Sequence, residues 1–284
     1  MSATVTRELP AETAATGMPE GRQPRKRWTR FILPAYSALV MLYLVAPILV
    51  MILYSFNNSG YKKVSFRWLG FTTQWYAKAF DKPDLTAALK NSLVIATVST
   101  VIATILGTLM ALALVRYRFR GKRATDFVLF MNIAAPEIVL GASLLSLFIT
   151  FGIPRGILTI ILAHVMFNIA YVTITVRARL IGFDRALEEA AQDLGANPWE
   201  TFRLVTLPVI LPGVIAGALL AFALSIDDFV ITNFNAGATQ TFPLWVYGAV
   251  KVGIPPQVFV IGTLIFLGGV LIAISSVVLN RRKA

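Results

Sequence analysis

Six apolar stretches alternate with polar ones along the 284 residues, and their lengths answer the first question. They run over 31–56, 92–115, 127–151, 157–176, 210–234 and 258–279, each near the ~20 residues that a helix needs to cross a bilayer core. Pro47, Pro136 and Pro212 fall inside these stretches or at their ends, which membrane helices tolerate better than soluble ones. The pattern predicts an all-α membrane protein with six transmembrane helices over 31–284. Residues 1–30 show no apolar periodicity and end in a basic run from Arg22 to Arg30. They predict a disordered tail whose basic end meets lipid headgroups. The apolar run after it is too long, and lacks the small-residue cleavage site, for a signal peptide.

The polar connections predict an orientation. Lys and Arg number six in the N-terminal tail, five in 116–123, four in 177–209 and three in the C-terminal tail, against eight in the other connections. By the positive-inside rule both termini and the loops at 116–123 and 177–209 lie in the cytoplasm, and the expected location is a bacterial plasma (inner) membrane. The net charge of +12 is thus a matter of topology and does not predict nucleic-acid binding. On the opposite side, Trp68, Phe71, Trp75 and Tyr76 cluster in the long segment 57–91. Trp75, Tyr76 and Phe80 have the spacing of a short interfacial helix, anchoring the membrane boundary or touching an external partner. Residues 235–257, with Pro243, Pro255 and Pro256, are expected to be irregular or re-entrant.

Composition then narrows the chemistry. Hydrophobic residues make up 57% and charged residues 14%, and there is no cysteine and one histidine, His164. Thiol catalysis and a Cys metal cluster are excluded, and a lone His cannot form a metal site by itself. No phosphate-binding loop of the G-x-x-x-x-G-K-[ST] kind occurs, since Gly121-Lys122 has Arg at position 116 where Gly is needed. The chain is expected to be no enzyme, with no catalytic residue, metal or cofactor of its own.

The loop 184–208 is the most ordered polar stretch. Asp184 can cap a short helix carrying Leu187, Glu188, Glu189, Ala190 and Ala191, and Gly195 can end it in the left-handed conformation. Asn197 then stands as N-cap with Pro198 and Glu200 at the first and third helical positions, a capping box. Two small alanines allow a partner to approach closely, and Pro208 and Pro212 mark the junction with the fifth span. In that span Gly213 and Gly217 form a small-xxx-small pair suited to tight helix packing.

Three carboxylates fall within spans: Glu137, Asp227 and Asp228. Each costs about 2.5–3.5 kcal/mol on insertion scales, and no Lys or Arg lies well inside a span to neutralise them. A continuous helix would put Glu137 ~16 Å beyond Asp126, near the midplane, and Asp227 ~22 Å beyond Pro212, in the outer half. Adjacent Asp227 and Asp228 would point about 100° apart. The acids read either as a negative path for a cationic solute or as structural groups, each protonated or bonded to Asn132, Asn168 or the backbone. Trp245 and Tyr247 are candidates for cation–π contact with such a solute.

Glu189-Ala190-Ala191, three residues, Gly195, nine residues and then Val205-Thr206-Leu207-Pro208 resembles the signature loop of ATP-binding-cassette (ABC) importer permeases. Tyr117–Lys122, Ser225–Phe229, Val250–Ile254 and Asn57-Asn58-Ser59 look like the second permease subunit of polyamine (spermidine/putrescine) importers, over about residues 31–280. The resemblance implies a type I ABC importer permease fold in which 184–208 is the cytoplasmic coupling helix. It implies a homologous second permease, two ATPase subunits that bind ATP and Mg, and an external solute-binding protein as partners. Coupling would fall to Glu188, Glu189, Ala190, Ala191, Asp193 and Gly195. The substrate path would fall to Glu137, Asp227, Asp228, Trp245 and Tyr247. Val205 stands where Ile is usual, and both are β-branched. The rival readings are an ABC permease for another solute and an ATP-independent transporter or channel.

Overall fold

A computed structural model describes residues 29–59 and 67–281. The N-terminal tail expected over 1–30 lies almost wholly outside the described residues. The chain divides into two units, the first ending at Val50 and the second running from Met51. The first contributes most of α1 (Thr29–Ser55), an apolar helix with Pro34 and Pro47 inside it.

In the second unit α2 (Gln74–Ala77) precedes α3 (Pro83–Arg116), then the pair α4 (Lys122–Ala134) and α5 (Glu137–Thr150), and α6 (Ile157–Ile181). The polar loop holds α7 (Ala186–Asp193) and α8 (Pro198–Thr201), and a π-helical turn over Phe202–Thr206 leads into α9 (Leu207–Asp227). There follow α10 (Val230–Asn235), α11 (Phe242–Val252) and α12 (Pro256–Arg281). Among the described residues four helical runs are each long and apolar enough to cross a membrane, within α1, α3, α6 and Pro198–Asp227, and the bent α4–α5 pair passes the same test when taken as one span. With α12, apolar over Pro256–Leu271, these account for the six spans.

Two of the six differ from the straight helices expected. The span over 127–151 is bent by 111° between α4 and α5. Pro136 bars the preceding residue from helical geometry, and Ala135 is accordingly extended, with ψ 138°. The span expected to reach residue 234 stops at Asp227, because Asp228 is extended with ψ 121° and a separate short helix follows. The segment 235–257 is more regular than expected. Pro243 and Pro256 sit in the first turns of α11 and α12, where a missing N–H costs nothing.

The packing centre of this unit is α3, α6 and α9. Ala111 and Leu112 of α3, Val172, Val176 and Leu180 of α6, and Ile210 and Ala221 of α9 form one buried cluster. Small residues allow the approach: a Cβ on Gly107 would lie 2.8 Å from Val172, and one on Gly213 2.9 Å from the Arg179 Cβ. Gly217 also faces Val172, so the expected small-xxx-small contact forms against α6. Trp75 was expected at the membrane boundary, but it is fully buried against Ala79 and Val260. Its indole N–H finds a partner inside the protein, donating to the Asn57 carbonyl at 2.9 Å, so it needs no interfacial water. Phe80 lies outside the four-residue helix and is exposed.

Candidate functional site

Two broken spans face one another across a cavity of about 400 Å³. One wall is the α4–α5 hinge with Asn132, Ala135 and Glu137, and the other is the α9–α10 break with Asp227, Asp228 and Phe229. Phe167 and Tyr171 of α6 close a further side. The volume falls in the range of small-molecule sites. Among the described residues no Lys or Arg lines it.

The structure brings the three intramembrane acids to this cavity and gives them different surroundings. Glu137 is in the first turn of α5, where a negative charge is favoured by the helix dipole. It stands at a hinge and not eleven residues up a continuous helix, so the depth expected from helical rise does not hold. Asp227 ends α9, so its carboxylate adds to the negative end of that helix dipole, an arrangement that draws cations. Glu137 and Asp227 are exposed, and their charges repel each other.

Asp228 is held. It sits in the break and not on a helix face, so the 100° separation from Asp227 does not apply. Its Oδ2 accepts from the Thr232 amide and the Thr232 hydroxyl, both at 2.7 Å. These bonds cap the start of α10 much as an N-cap residue does. His164 Nε2 lies 3.3 Å from the same oxygen. Of the groups expected to hold a structural acid, the backbone does so at Asp228 through the Thr232 amide, and the two asparagines do not. Asn132 donates to the Met166 carbonyl, and the buried Asn168 amide has no hydrogen-bond partner among the described residues.

Trp245 and Tyr247 do not line the cavity. Trp245 packs in an apolar cluster with Leu85, Val258 and Ile261. Tyr247 packs against Phe229 with the rings tilted by 45° and their centroids 4.7 Å apart, and Lys251 Nζ stands 4.8 Å over the Tyr247 ring. Tyr247 therefore reaches the cavity only through Phe229, and a cation of the chain itself already occupies its face.

The second site is the loop that joins α6 to α9. Asp184 Oδ1 accepts from the Ala186 amide at 2.9 Å. Gly195, with φ +92°, ends α7: the Ala196 amide donates to Ala191 O and the Gly195 amide to Gln192 O, a Schellman closure. The capping box is complete, with Asn197 Oδ1 accepting from Glu200 N and Glu200 Oε2 accepting from Asn197 N, each at 2.9 Å. Glu188 is buried and bonded to both Arg116 at the end of α3 and the Thr206 hydroxyl in the π-helical turn. Glu189 and Ala190 are exposed, as are Leu187, Leu194 and Trp199. The loop thus has one acid turned inward and one outward. Sequence reasoning did not separate the two acids, because Arg116 lies 72 positions from Glu188.

Residues 103–284 match the family model of the binding-protein-dependent transport system inner membrane component. The chain belongs to this family. It is similar to the spermidine/putrescine transport system permease protein PotC of Haemophilus influenzae, 39% identical over 254 residues that cover 89% of this chain and 98% of that one. Similarity to PotC of Escherichia coli (strain K12) is 38% over 255 residues, 89% of this chain and 96% of that one. The putrescine transport system permease protein PotI of the same organism is 43% identical over 236 residues, 80% of this chain and 83% of that one. Among solved structures, a bacterial ABC transporter involved in alginate import superposes with TM-score 0.68 at 14% identity, covering 90% of this chain and 96% of that one. The MetNI methionine ABC transporter gives 0.57 at 17%, covering 71% and 96%. The fold is therefore that of an ABC importer permease. Membership of a transport-permease family agrees with the expectation that this chain is no enzyme.

Proposed function

We propose that this chain is one permease subunit of an ATP-driven importer that moves polyamines such as spermidine and putrescine into the cytoplasm. The observation that carries the substrate class is the cavity between the two broken spans: Glu137 and Asp227 open into it, and among the described residues no Lys or Arg lines it. Unpaired carboxylates in a low-dielectric span are costly unless a cation meets them, and the similarity to PotC and PotI points the same way.

The mechanism is alternating access. An external solute-binding protein delivers the cation, which reaches Glu137 and Asp227 between this chain and a homologous second permease. Two ATPase subunits, which hold the ATP and Mg, meet α7 through exposed Glu189, Ala190, Asp193, Leu194 and Gly195 and half-buried Ala191. Closure of the ATPase pair moves α7 as a lever. Glu188 passes the movement to α3 through Arg116 and to the root of α9 through Thr206. Both termini and the α7 loop then lie in the cytoplasm, with the complex set in the inner-membrane bilayer.

The test is uptake of labelled putrescine in cells lacking the gene and carrying a plasmid copy. Uptake that depends on the copy and stops on ATP depletion with ion gradients intact is expected. Uptake that survives ATP depletion would overturn the coupling, and none of any polyamine would overturn the substrate class.

A further inference from the structure

The single histidine of the chain lies where the α9–α10 break meets the core. His164 is fully buried on α6 and reaches three elements with its two nitrogens. Nδ1 is 2.6 Å from the Ser225 hydroxyl of α9, and Nε2 is 2.9 Å from the Thr232 hydroxyl of α10 and 3.3 Å from Asp228 Oδ2 in the break. Ser225 in turn lies 3.0 Å from Ser99 of α3. The proton positions on the Nε2 side follow from the donor inventory. The Thr232 hydroxyl has one proton and donates it to Asp228, so Nε2 must carry the hydrogen that meets Thr232 and the carboxylate. A buried carboxylate needs such donors, and the Asp228 side chain is only 6% exposed.

We propose that His164 is a positioning residue of the cation path: it holds Asp228 across the α9–α10 break and so fixes where the adjacent Asp227 presents its carboxylate. The inference rests on the cavity being the path proposed above. It divides the acids into one committed to the wall and two, Asp227 and Glu137, that meet the cation. His164 touches no substrate in this scheme and acts through Asp228.

The experiment compares assembled complexes carrying His164→Gln, His164→Asn, His164→Ala, Asp228→Asn and the pair His164→Ala/Asp228→Asn. Gln extends an amide N–H to about the place of Nε2, whereas Asn reaches only towards Ser225. With labelled putrescine as probe, Ala and Asn are expected to raise the KM of uptake roughly tenfold or more, the scale of a lost hydrogen bond to a charged group. Vmax per assembled complex stays near wild type, and Gln keeps KM close to wild type. The pair variant is no worse than the more damaging of its two singles, because both break one clamp. A purely structural defect would instead lower Vmax and leave KM unchanged. Gln as harmful as Ala, or effects of His164→Ala and Asp228→Asn that multiply, overturns the proposal. Should wild type take up no polyamine, the functional reading falls separately. The same variants read by Tm then decide the clamp, which requires non-additive losses for His164 with Asp228 and Tm retained in Gln but not in Asn.

Discussion

Removing the positive partner of the inward-facing acid in the α7 loop should be far more damaging than removing the acid. The Glu188 side chain is 9% exposed and that of Arg116 21%, so only Arg116 can turn to water when its partner is lost. In Arg116→Met the carboxylate keeps the Thr206 hydroxyl as donor but loses its counter-charge. Breaking a buried pair in this way costs about 3–5 kcal/mol, and the surviving bond puts the expected figure at the lower end, about 3 kcal/mol. In Glu188→Met the freed guanidinium hydrates, and the loss is about 1.5 kcal/mol, the worth of a charged hydrogen bond. The pair Arg116→Met/Glu188→Met leaves no buried charge and falls below the Arg116 single. Hydrogen exchange of peptides covering 184–196 in the purified complex reads the opening of α7 directly. Exchange should quicken roughly 100-fold in Arg116→Met and about tenfold in Glu188→Met. A Glu188 variant that opens more than the Arg116 variant, or a pair additive in its parts, would refute the reasoning.

Gly195→Ala should fray the end of α7 at a cost of about 1 kcal/mol. The residue has φ +92° with nothing within 4 Å, so exchange at its neighbours should rise with no change in Tm. Gly107→Ala meets Val172 at 2.8 Å and should lower the Tm of the complex, the overpacking being worth about 1–3 kcal/mol; Val172→Ala in the same chain should restore part of it. Trp75→Ala should cost about 3–5 kcal/mol, while Trp75→Phe, which loses chiefly the indole bond to Asn57, costs about 1 kcal/mol. An interfacial anchor would show a small loss in both.

What the sequence revealed was local. The caps of α7 and α8 were legible because Asp184, Gly195, Asn197, Pro198 and Glu200 each act within four residues of their own position. The breaks in two spans were not, since a hydrophobic window averages across Ala135-Pro136 and across Asp228-Phe229, where both flanks remain apolar. Signals for both breaks were present: the residue before Pro136, and a carboxylate four positions ahead of Thr232. The acids themselves stood out because charge in a span is rare, but their division into held and open groups depends on His164, 64 positions away. The spacing points His164 no further than a metal ligand, and Trp75 no further than a membrane anchor or an external contact. Their buried partners, Ser225 and Asn57, come from other elements that no spacing rule connects to them.

Complementation tests the central claim most directly: uptake of labelled spermidine and putrescine in cells lacking the gene, restored by wild type or by Asp227→Asn at equal membrane abundance. Neutralising the open acid at the α9 terminus should cut polyamine uptake roughly tenfold or more, the loss expected when one charge-assisted contact to the cation is removed. The complex should still assemble, since among the described residues the Asp227 carboxylate is hydrogen-bonded only to its own backbone. Full uptake in Asp227→Asn would contradict the account by removing the cation path from this cavity.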